Sequence, residues 1–451
     1  MNSIPDILRE HLEFLLEDVT ASSVVWAGYS GGCDSSALLH ALHKWGREHE
    51  IRVLAVHVNH HLHPEAATWA GFCAEQCALL GVPLRTVEVD VSPLNGRSLE
   101  ARARQLRYDA CRALLGSGDC FLTAHHQEDQ AETLLLQLLR GSGVHGLSAM
   151  PERTPFGPGW HVRPLLSCPR ADLIGYARAQ GLQWLDDPSN ADTSHDRNYL
   201  RHKIMPRLRQ RWPAAAEVMT RAARWQAEAA TLLDEMAALD LETTRGPRPE
   251  CLSVPALCAL SPARCAQVLR LWIKSLGLAA PYAAHLEQVR HDLLHARRDS
   301  RARVRWPGAE VRRHRDLLYA GQHDSDNGDD EETLVDCVWD PSMPLQLPWG
   351  RLSAHKAKGV GLAARHVQQH GLRIRRRRGG EVCRPAWRTH RQSLKKLLQE
   401  TGVPPWQRER LPLIYCGDEL AAVADLWVCH PWQATADEAG WVFRWEPADE
   451  N

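Results

Sequence analysis

The sequence predicts an α/β chain in which a parallel sheet carries helices on both faces, followed by a helical region and a small α+β C-terminal part. Three observations lead there. Between Val24 and Leu139 short apolar runs alternate with amphipathic segments of helical period, the pattern of strands crossed over by helices. The first run ends in Ser30-Gly31-Gly32-Cys33-Asp34-Ser35-Ser36, a glycine turn opening a helix, and α/β sheets bind ligands at such turns. From about Ala214 the composition turns rich in Ala, Leu and Arg with helical periodicity, and beyond an acidic stretch it breaks into short strand-like pieces around one helix.

Taken in order, the first strand is Val24 to Tyr29. Gly31 and Gly32 have no Cβ, so backbone N–H groups can close on an anion, and the helix through Leu38, Leu39 and Leu42 adds its positive end. Ser30, Ser35 and Ser36 supply hydroxyls and Asp34 a carboxylate. The chain contains no Gly-Lys pair, which excludes a Walker loop. Arg52 to Val58 follows as a strand, Thr68 to Leu80 as a helix, Pro83 to Val91 as a strand, Leu99 to Leu115 as a helix, Cys120 to Ala124 as a strand and Asp129 to Leu139 as a helix. Loops leaving the C-terminal ends of parallel strands converge, so His57 with His60, and His125 with His126, are expected beside Ser30. His57 and His126 thereby join the candidate nucleotide contacts.

Gly141-Ser142-Gly143-Val144-His145-Gly146 has dinucleotide-loop spacing but follows a helix instead of a strand, so it reads as a bend at a helix exit. A helix at Ala171 to Gln180 leads to the polar segment Trp184 to Asn190. The acidic tract 324–332 cannot bury itself and reads as an exposed connection. After it come strand-like pieces at Leu334-Val335, Leu345 to Leu352 and Leu413 to Val428, with a helix from Ser393 to Glu400. The expected domains are 1–215, 216–322 and 334–451, with 323–333 as the linker.

With 451 residues, 44% hydrophobic and 24% charged, the chain suits about three soluble domains. No apolar run approaches the ~18 to 20 residues of a membrane span, and no basic segment with an apolar run opens the chain, so neither membrane insertion nor secretion is expected. Thirteen cysteines with no Cys-x-x-Cys argue against a disulfide framework or metal ribbon and for a reducing, cytoplasmic setting. Cys73 and Cys77, one helical turn apart, read as core.

The second dense constellation is His125-His126-Gln127-Glu128-Asp129-Gln130-Ala131-Glu132-Thr133. Asp129 and Glu132, three apart, project from one face near a helix start. Two carboxylates there suit Mg²⁺ on nucleotide phosphates, with Asp34 and Asp129 as the candidate ligands; the competing reading is a helix cap. Zinc at His125, His126 and the His57/His60/His61/His63 cluster is disfavoured, because His125 and His126 point apart on a strand and His60 to His63 have no His-x-x-x-His or cysteine complement.

Ser-Gly-Gly-x-Asp-Ser at 30–35 resembles the signature of the PP-loop ATP pyrophosphatases. Together with the His125 constellation, Asp187-Pro188-Ser189-Asn190 and Arg197-Asn198-Tyr199-Leu200-Arg201, it resembles the tRNA(Ile)-lysidine synthetase branch. The likeness runs on through Val56 to Leu62, Leu139 to Gly143, Arg163 to Leu166, Leu394 to Leu397, Val403 to Trp406 and Arg408 to Pro412. Glu128 stands where the family usually has Asp, and the acidic tract has no counterpart in it.

The resemblance implies that ATP transfers AMP to the C2 oxygen of the wobble cytidine of a CAU isoleucine tRNA. The amine of free L-lysine then displaces AMP, giving lysidine. It further implies that Ser30, Gly31, Gly32, Ser35 and Ser36 hold phosphate, that Asp34 positions metal or nucleotide, and that Asp129 and Glu132 meet Mg²⁺ or the lysine ammonium. Arg197 and Arg201 are left with two roles, on the α-phosphate or on the anticodon backbone. A homodimer is allowed.

Arg373, Arg375, Arg376, Arg377, Arg378, Arg384, Arg388, Arg391, Lys395 and Lys396 form a basic tract opposed locally only by Glu381, in a chain of net charge −1. Such clustering is a polyanion footprint, and the resemblance assigns it, with Arg408, to tRNA. Trp387 and Trp406 offer stacking or core. A tRNA thiolase of this superfamily would usually need paired cysteines, which the chain lacks. A nucleotide-binding module would not need the Asp129/Glu132 pair, and a plain RNA-binding protein leaves the N-terminal half unexplained.

Overall fold

A computed structural model describes residues 4–20, 22–60, 65–91, 99–186, 192–297, 302–323 and 336–447. His61, His63, the 187–190 motif, the acidic tract and the strand expected at Leu334-Val335 lie outside these residues. The chain divides into two compact units, Met1–Leu233 and Asp234–Asn451.

The first unit runs α1 (Ile4–Leu15), β1 (Val24–Gly28), α2 (Cys33–Glu48), β2 (Arg52–Asn59), α3 (Ala66–Leu80), β3 (Leu84–Glu88), α4 (Leu99–Arg112), β4 (Cys120–Leu122) and α5 (Gln127–Leu139). It continues with α6 (Val144–Leu147), β5 (Arg153–Phe156), β6 (Gly159–Val162), α7 (Arg170–Ala179), α8 (Asp196–Tyr199) and α9 (Met205–Arg211). The long α10 (Ala215–Thr244) passes into the second unit. The sheet order is β3-β2-β1-β4-β6-β5, parallel throughout except for the edge strand β5.

Side chains alternate across this sheet, and the alternation builds two cores. Val25, Ala27, Ala55, Leu122 and Val162 pack with Leu38, Leu39 and Leu42 of α2 and Leu173 and Tyr176 of α7. Val56 and Phe121 point the other way, onto Cys111, Leu115 and Phe156. Helices therefore cover both faces, as the sequence predicts, and the strand ends carrying Ser30, His57 and His126 open on one edge. Cys73 and Cys77 are core, and burial pushes their thiols up to about 12 and about 11. The β5–β6 hairpin was not expected: Arg153-Thr154-Pro155-Phe156 is short and contains a proline, which an edge strand tolerates because its outer N–H needs no partner.

In the second unit β7 (Cys251–Ser253), α11 (Val254–Ala259), α12 (Pro262–Ser275) and α13 (Ala283–Gln288) precede β8 (Arg303–Trp306), β9 (Ala309–His314) and β10 (Leu317–Gly321). The region read as helical is mostly helical to Leu293 but is interrupted by β7, which joins the later strands in an antiparallel sheet of order β7-β10-β9-β8. Val304, Trp306, Val311 and Leu318 of that sheet bury against Leu269, Trp272 and Ile273 of α12. The C-terminal part holds α14 (Ala364–His370), a two-stranded antiparallel sheet of β16 (Val382–Cys383) and β17 (Gln392–Ser393), and two larger antiparallel sheets. One joins β11 (Asp336–Trp339), β15 (Leu372–Arg375), β18 (Leu413–Cys416), β19 (Glu419–Val423) and β20 (Trp427–Val428). The other joins β12 (Leu345–Leu347), β13 (Gly350–Lys358), β21 (Ala439–Pro447) and β14 (Leu362–Ala363). Their core takes Leu394, Leu397 and Leu398 from α15 (Leu394–Glu400), the helix expected there.

Candidate active site

The phosphate loop is tied internally. Ser35 and Ser36 donate their hydroxyls to the Gly32 carbonyl at 2.9 and 3.0 Å, and Ser30 Oγ lies 3.0 Å from Ser35 Oγ. No N-cap side chain closes the start of α2, so its first amides and their dipole face the loop. Gly31 has φ +80°, and an added Cβ would stand 3.1 Å from Cys73 Sγ. The Leu185 N–H donates to the Gly31 carbonyl at 2.8 Å, laying that segment over the loop.

The expected convergence is present. His57 donates Nδ1–H to the Tyr29 carbonyl at 3.0 Å, and burial lowers its pKa. His126 is buried among three carboxylates: Nδ1 lies 3.1 Å from Glu128 Oε2, and Nε2 lies 3.3 Å from Asp129 Oδ2 and 3.7 Å from Asp34 Oδ2. Burial opposes the charge on this imidazole, but Glu128, Asp129 and Asp34 together outweigh burial and raise its pKa. One ring, its charged form favoured by these carboxylates, thus joins the phosphate loop to the start of α5.

Asp129 Oδ2 also accepts the His126 N–H at 3.0 Å, so the capping arrangement is real. Its other oxygen faces two guanidiniums, Arg201 at 2.7 Å and Arg197 at 3.1 Å. Glu132, 1% exposed, accepts from Arg201 Nε at 2.9 Å and Arg197 Nε at 3.1 Å. Burial raises the Asp129 carboxyl, but His126 and the arginines hold it at about 2. The sequence reading gave these carboxylates to metal or ammonium and these arginines to phosphate or RNA. The fold couples all four, across separations of 65 to 72 residues that sequence spacing does not reveal. Glu128 meets Arg209 at 3.0 Å and the Arg170 N–H at 2.9 Å, two partners the sequence reading also missed.

Asp34 differs from its neighbours. Its Oδ1 is buried and takes no hydrogen bond, with Arg170 Nε 3.5 Å away. That orphaned oxygen fits a divalent cation, whereas both oxygens of Asp129 are already occupied.

In the second unit the basic tract is sorted by its partners. Asp336 takes Arg373 at 3.0 Å and Arg375 at 3.3 Å, Arg388 meets Glu400, and Arg391 lies 3.9 Å from Glu419. Glu381 is therefore not the tract's only counter-charge: the fold brings in Asp336 by the β11–β15 pairing, Glu400 from α15 and Glu419 from β19. Arg376 stacks on Trp349, Arg377 is half-buried, and Arg378, Lys395 and Lys396 are exposed. Arg408 donates to the Val403 carbonyl at 2.7 Å. Trp387 is exposed, while Trp406 packs edge-on against Tyr319 and His314.

Family models match as PP-loop domain over 5–208, TilS substrate binding domain over 252–319 and TilS substrate C-terminal domain over 372–445. The tRNA(Ile)-lysidine synthase of Coxiella burnetii is 40% identical over 97% of this chain and 96% of its own. The chain belongs to the tRNA(Ile)-lysidine synthase family. That of Alkalilimnicola ehrlichii is 42% identical over 94% of this chain and 93% of its own, and that of Methylococcus capsulatus 38% over 98% and 100%. Membership in the tRNA(Ile)-lysidine synthase family makes this an ATP-using ligase of the PP-loop class.

Proposed function

We propose that the chain joins L-lysine to C2 of the wobble cytidine of tRNA(Ile) with anticodon CAU, through an adenylated cytidine, releasing AMP and pyrophosphate. The product, lysidine, changes codon reading and charging from Met to Ile. The observation that carries this reading is His126, whose Nε2 lies within reach of Asp34 on the phosphate loop and of Asp129 on the Arg197–Arg201 cluster. Phosphate chemistry and a charged substrate site then share one ring.

On this reading Ser30, Gly31, Gly32, Ser35 and Ser36 line the phosphates, with loop amides and the start of α2 meeting their charge. Asp34 holds Mg²⁺, which when bound offsets the charge of ATP. His57 borders the nucleotide. Arg197 and Arg201, pinned on Asp129 and Glu132, present fixed positive charge where the α-phosphate is attacked, so reorganisation during the reaction is small.

Residues 1–215 carry this chemistry, 216–322 bind substrate, 323–333 link, and 334–451 grip the tRNA body through the unpaired part of the basic tract. The protein works in the cytoplasm, and a homodimer fits. Incubation with ATP, lysine and tRNA, followed by digestion to nucleosides, tests the reading: lysidine appears with equimolar AMP and pyrophosphate, and its absence refutes the assignment.

A further inference from the structure

Beside the charged cluster lies a chain of hydrogen bonds that the reaction outlined above does not use. Arg163 Nη2 lies 2.9 Å from His161 Nδ1, His161 Nε2 lies 2.9 Å from Thr123 Oγ1, and Thr123 Oγ1 lies 2.8 Å from His125 Nδ1. The direction of every proton in it follows from one end. A guanidinium has only donors, so His161 Nδ1 accepts and His161 Nε2 carries the proton. That proton goes to Thr123 Oγ1, which leaves the threonine hydroxyl to donate onward to His125 Nδ1. His125 is thereby neutral, with its proton on Nε2.

The relay is built to keep that direction. Arg163 is itself fixed by donating Nη1 to the Pro151 carbonyl at 2.7 Å. His161 is 2% exposed and packed against Phe121, Phe156 and Tyr108, with ring centroids 5.2 to 5.5 Å away. Burial and the neighbouring arginines keep both rings uncharged, His161 at about 2 and His125 at about 3. His125 directly precedes His126, whose ring joins the cluster to the phosphate loop, so the relay ends one residue from that junction. Adjacent histidines thus differ: three carboxylates favour the charged form of His126, and His125 is a neutral donor oriented by a relay.

We propose that Thr123, His161 and Arg163 are positioning residues that lock His125 in its Nε2–H form, giving the adenylation site a neutral hydrogen-bond donor of fixed orientation. Such a donor suits an oxygen that gains charge as the cytosine carbonyl attacks, and unlike an imidazolium it cannot surrender a full charge to the adjacent carboxylates. The inference rests on the proposed function for what the donor meets, but the tautomer itself does not depend on that reading.

The test uses full-length protein labelled with ¹⁵N-histidine, and the variants Thr123→Val, which removes the hydroxyl at constant shape, and Thr123→Ser, which restores it. Two-bond ¹H–¹⁵N spectra, with the His125 signals assigned from their loss in His125→Gln, are expected to show the Nε2–H form in wild type and in Thr123→Ser, and a mixture of tautomers in Thr123→Val. Lysidine formation by Thr123→Val is expected to lose kcat by about 10- to 100-fold with KM for ATP near wild type, while Thr123→Ser recovers most of it. An Nδ1–H or charged His125 in wild type, or a Thr123→Val protein with an unchanged His125 spectrum and kcat within about twofold of wild type, overturns the proposal. If wild type makes no lysidine, the functional reading fails while the spectra still decide the relay.

Discussion

At the scale of single residues, the site separates carboxylates that are already satisfied from one that is not. Asp34 keeps a buried oxygen without a hydrogen bond, so its use lies with a ligand. Asp34→Ala is expected to abolish release of AMP and pyrophosphate while shifting the melting temperature by no more than about 2 °C, because little in the fold leans on it. Pyrophosphate release assays and thermal melts read both outcomes, and near-normal turnover would remove Asp34 from the chemistry. Asp129 behaves in the opposite way. Its folded pKa, about 2, lies below the ordinary 3.8, so its pairing stabilises the fold above about pH 4, and that stabilisation is lost as pH falls through 2. The wild-type advantage over Asp129→Asn is therefore on the order of 2 kcal/mol near neutrality and shrinks between pH 4 and pH 2. Denaturation midpoints of the two proteins across that range check it; a gap independent of pH would mean that charge is not what Asp129 contributes. The phosphate loop and the acidic pair were legible in the sequence because their spacing is local. Their arginine partners were visible as residues but not as partners, since nothing local records which charge folds onto which.

At the scale of elements, the same distinction separates what could be read from what could not. Strands β1, β2 and β4 are apolar because both their faces are covered, and such runs stand out in a sequence. The β8–β10 sheet did not stand out: Arg303-Val304-Arg305-Trp306 carries a charge at every second position, and β9 buries Glu310 and Arg313 beside Val311, so neither run has the apolar signature of a core strand. Where an element must turn against a neighbour, one residue decides. Gly31 sits at φ +80° with Cys73 Sγ 3.1 Å from a would-be Cβ, so Gly31→Ala suffers both a left-handed backbone and a tight approach. A loss of about 1 to 2 kcal/mol in stability is expected, with at least tenfold weaker ATP binding, because the loop amides move with the backbone. Calorimetric titration with ATP and urea denaturation measure the two effects. Tight ATP binding by a destabilised Gly31→Ala protein would show that the loop shape serves folding alone.

At the scale of the whole molecule, charge is divided between the two units by use. In the first unit it is paired inward, carboxylate against guanidinium, around the site. In the second, the β11–β15 pairing brings Asp336 onto Arg373 and Arg375, while Glu400 of α15 and Glu419 of β19 meet Arg388 and Arg391, so much of the basic tract is paired inside the fold. Lys395 and Lys396 are different, standing exposed on the first turn of α15 while Leu394, Leu397 and Leu398 anchor that helix in the core. A rigid helix presenting two exposed ammonium groups suits a phosphate backbone, and counterion release gives that idea a number. Removing one lysine–phosphate pair flattens the dependence of log K on log salt by about 0.7 to 0.9. Lys395→Ala/Lys396→Ala is therefore expected to weaken tRNA binding and to lower the slope by roughly one to two, whereas Arg375→Ala, which breaks an internal pair, changes stability more than slope. ATP affinity stays constant in the lysine variant, because the phosphate loop belongs to the other unit. Anisotropy titrations of labelled tRNA at several salt concentrations decide it: an unaltered slope and affinity would make these lysines solvated surface and move the RNA grip to Arg376, Arg378 or the basic residues Lys203 and Arg207.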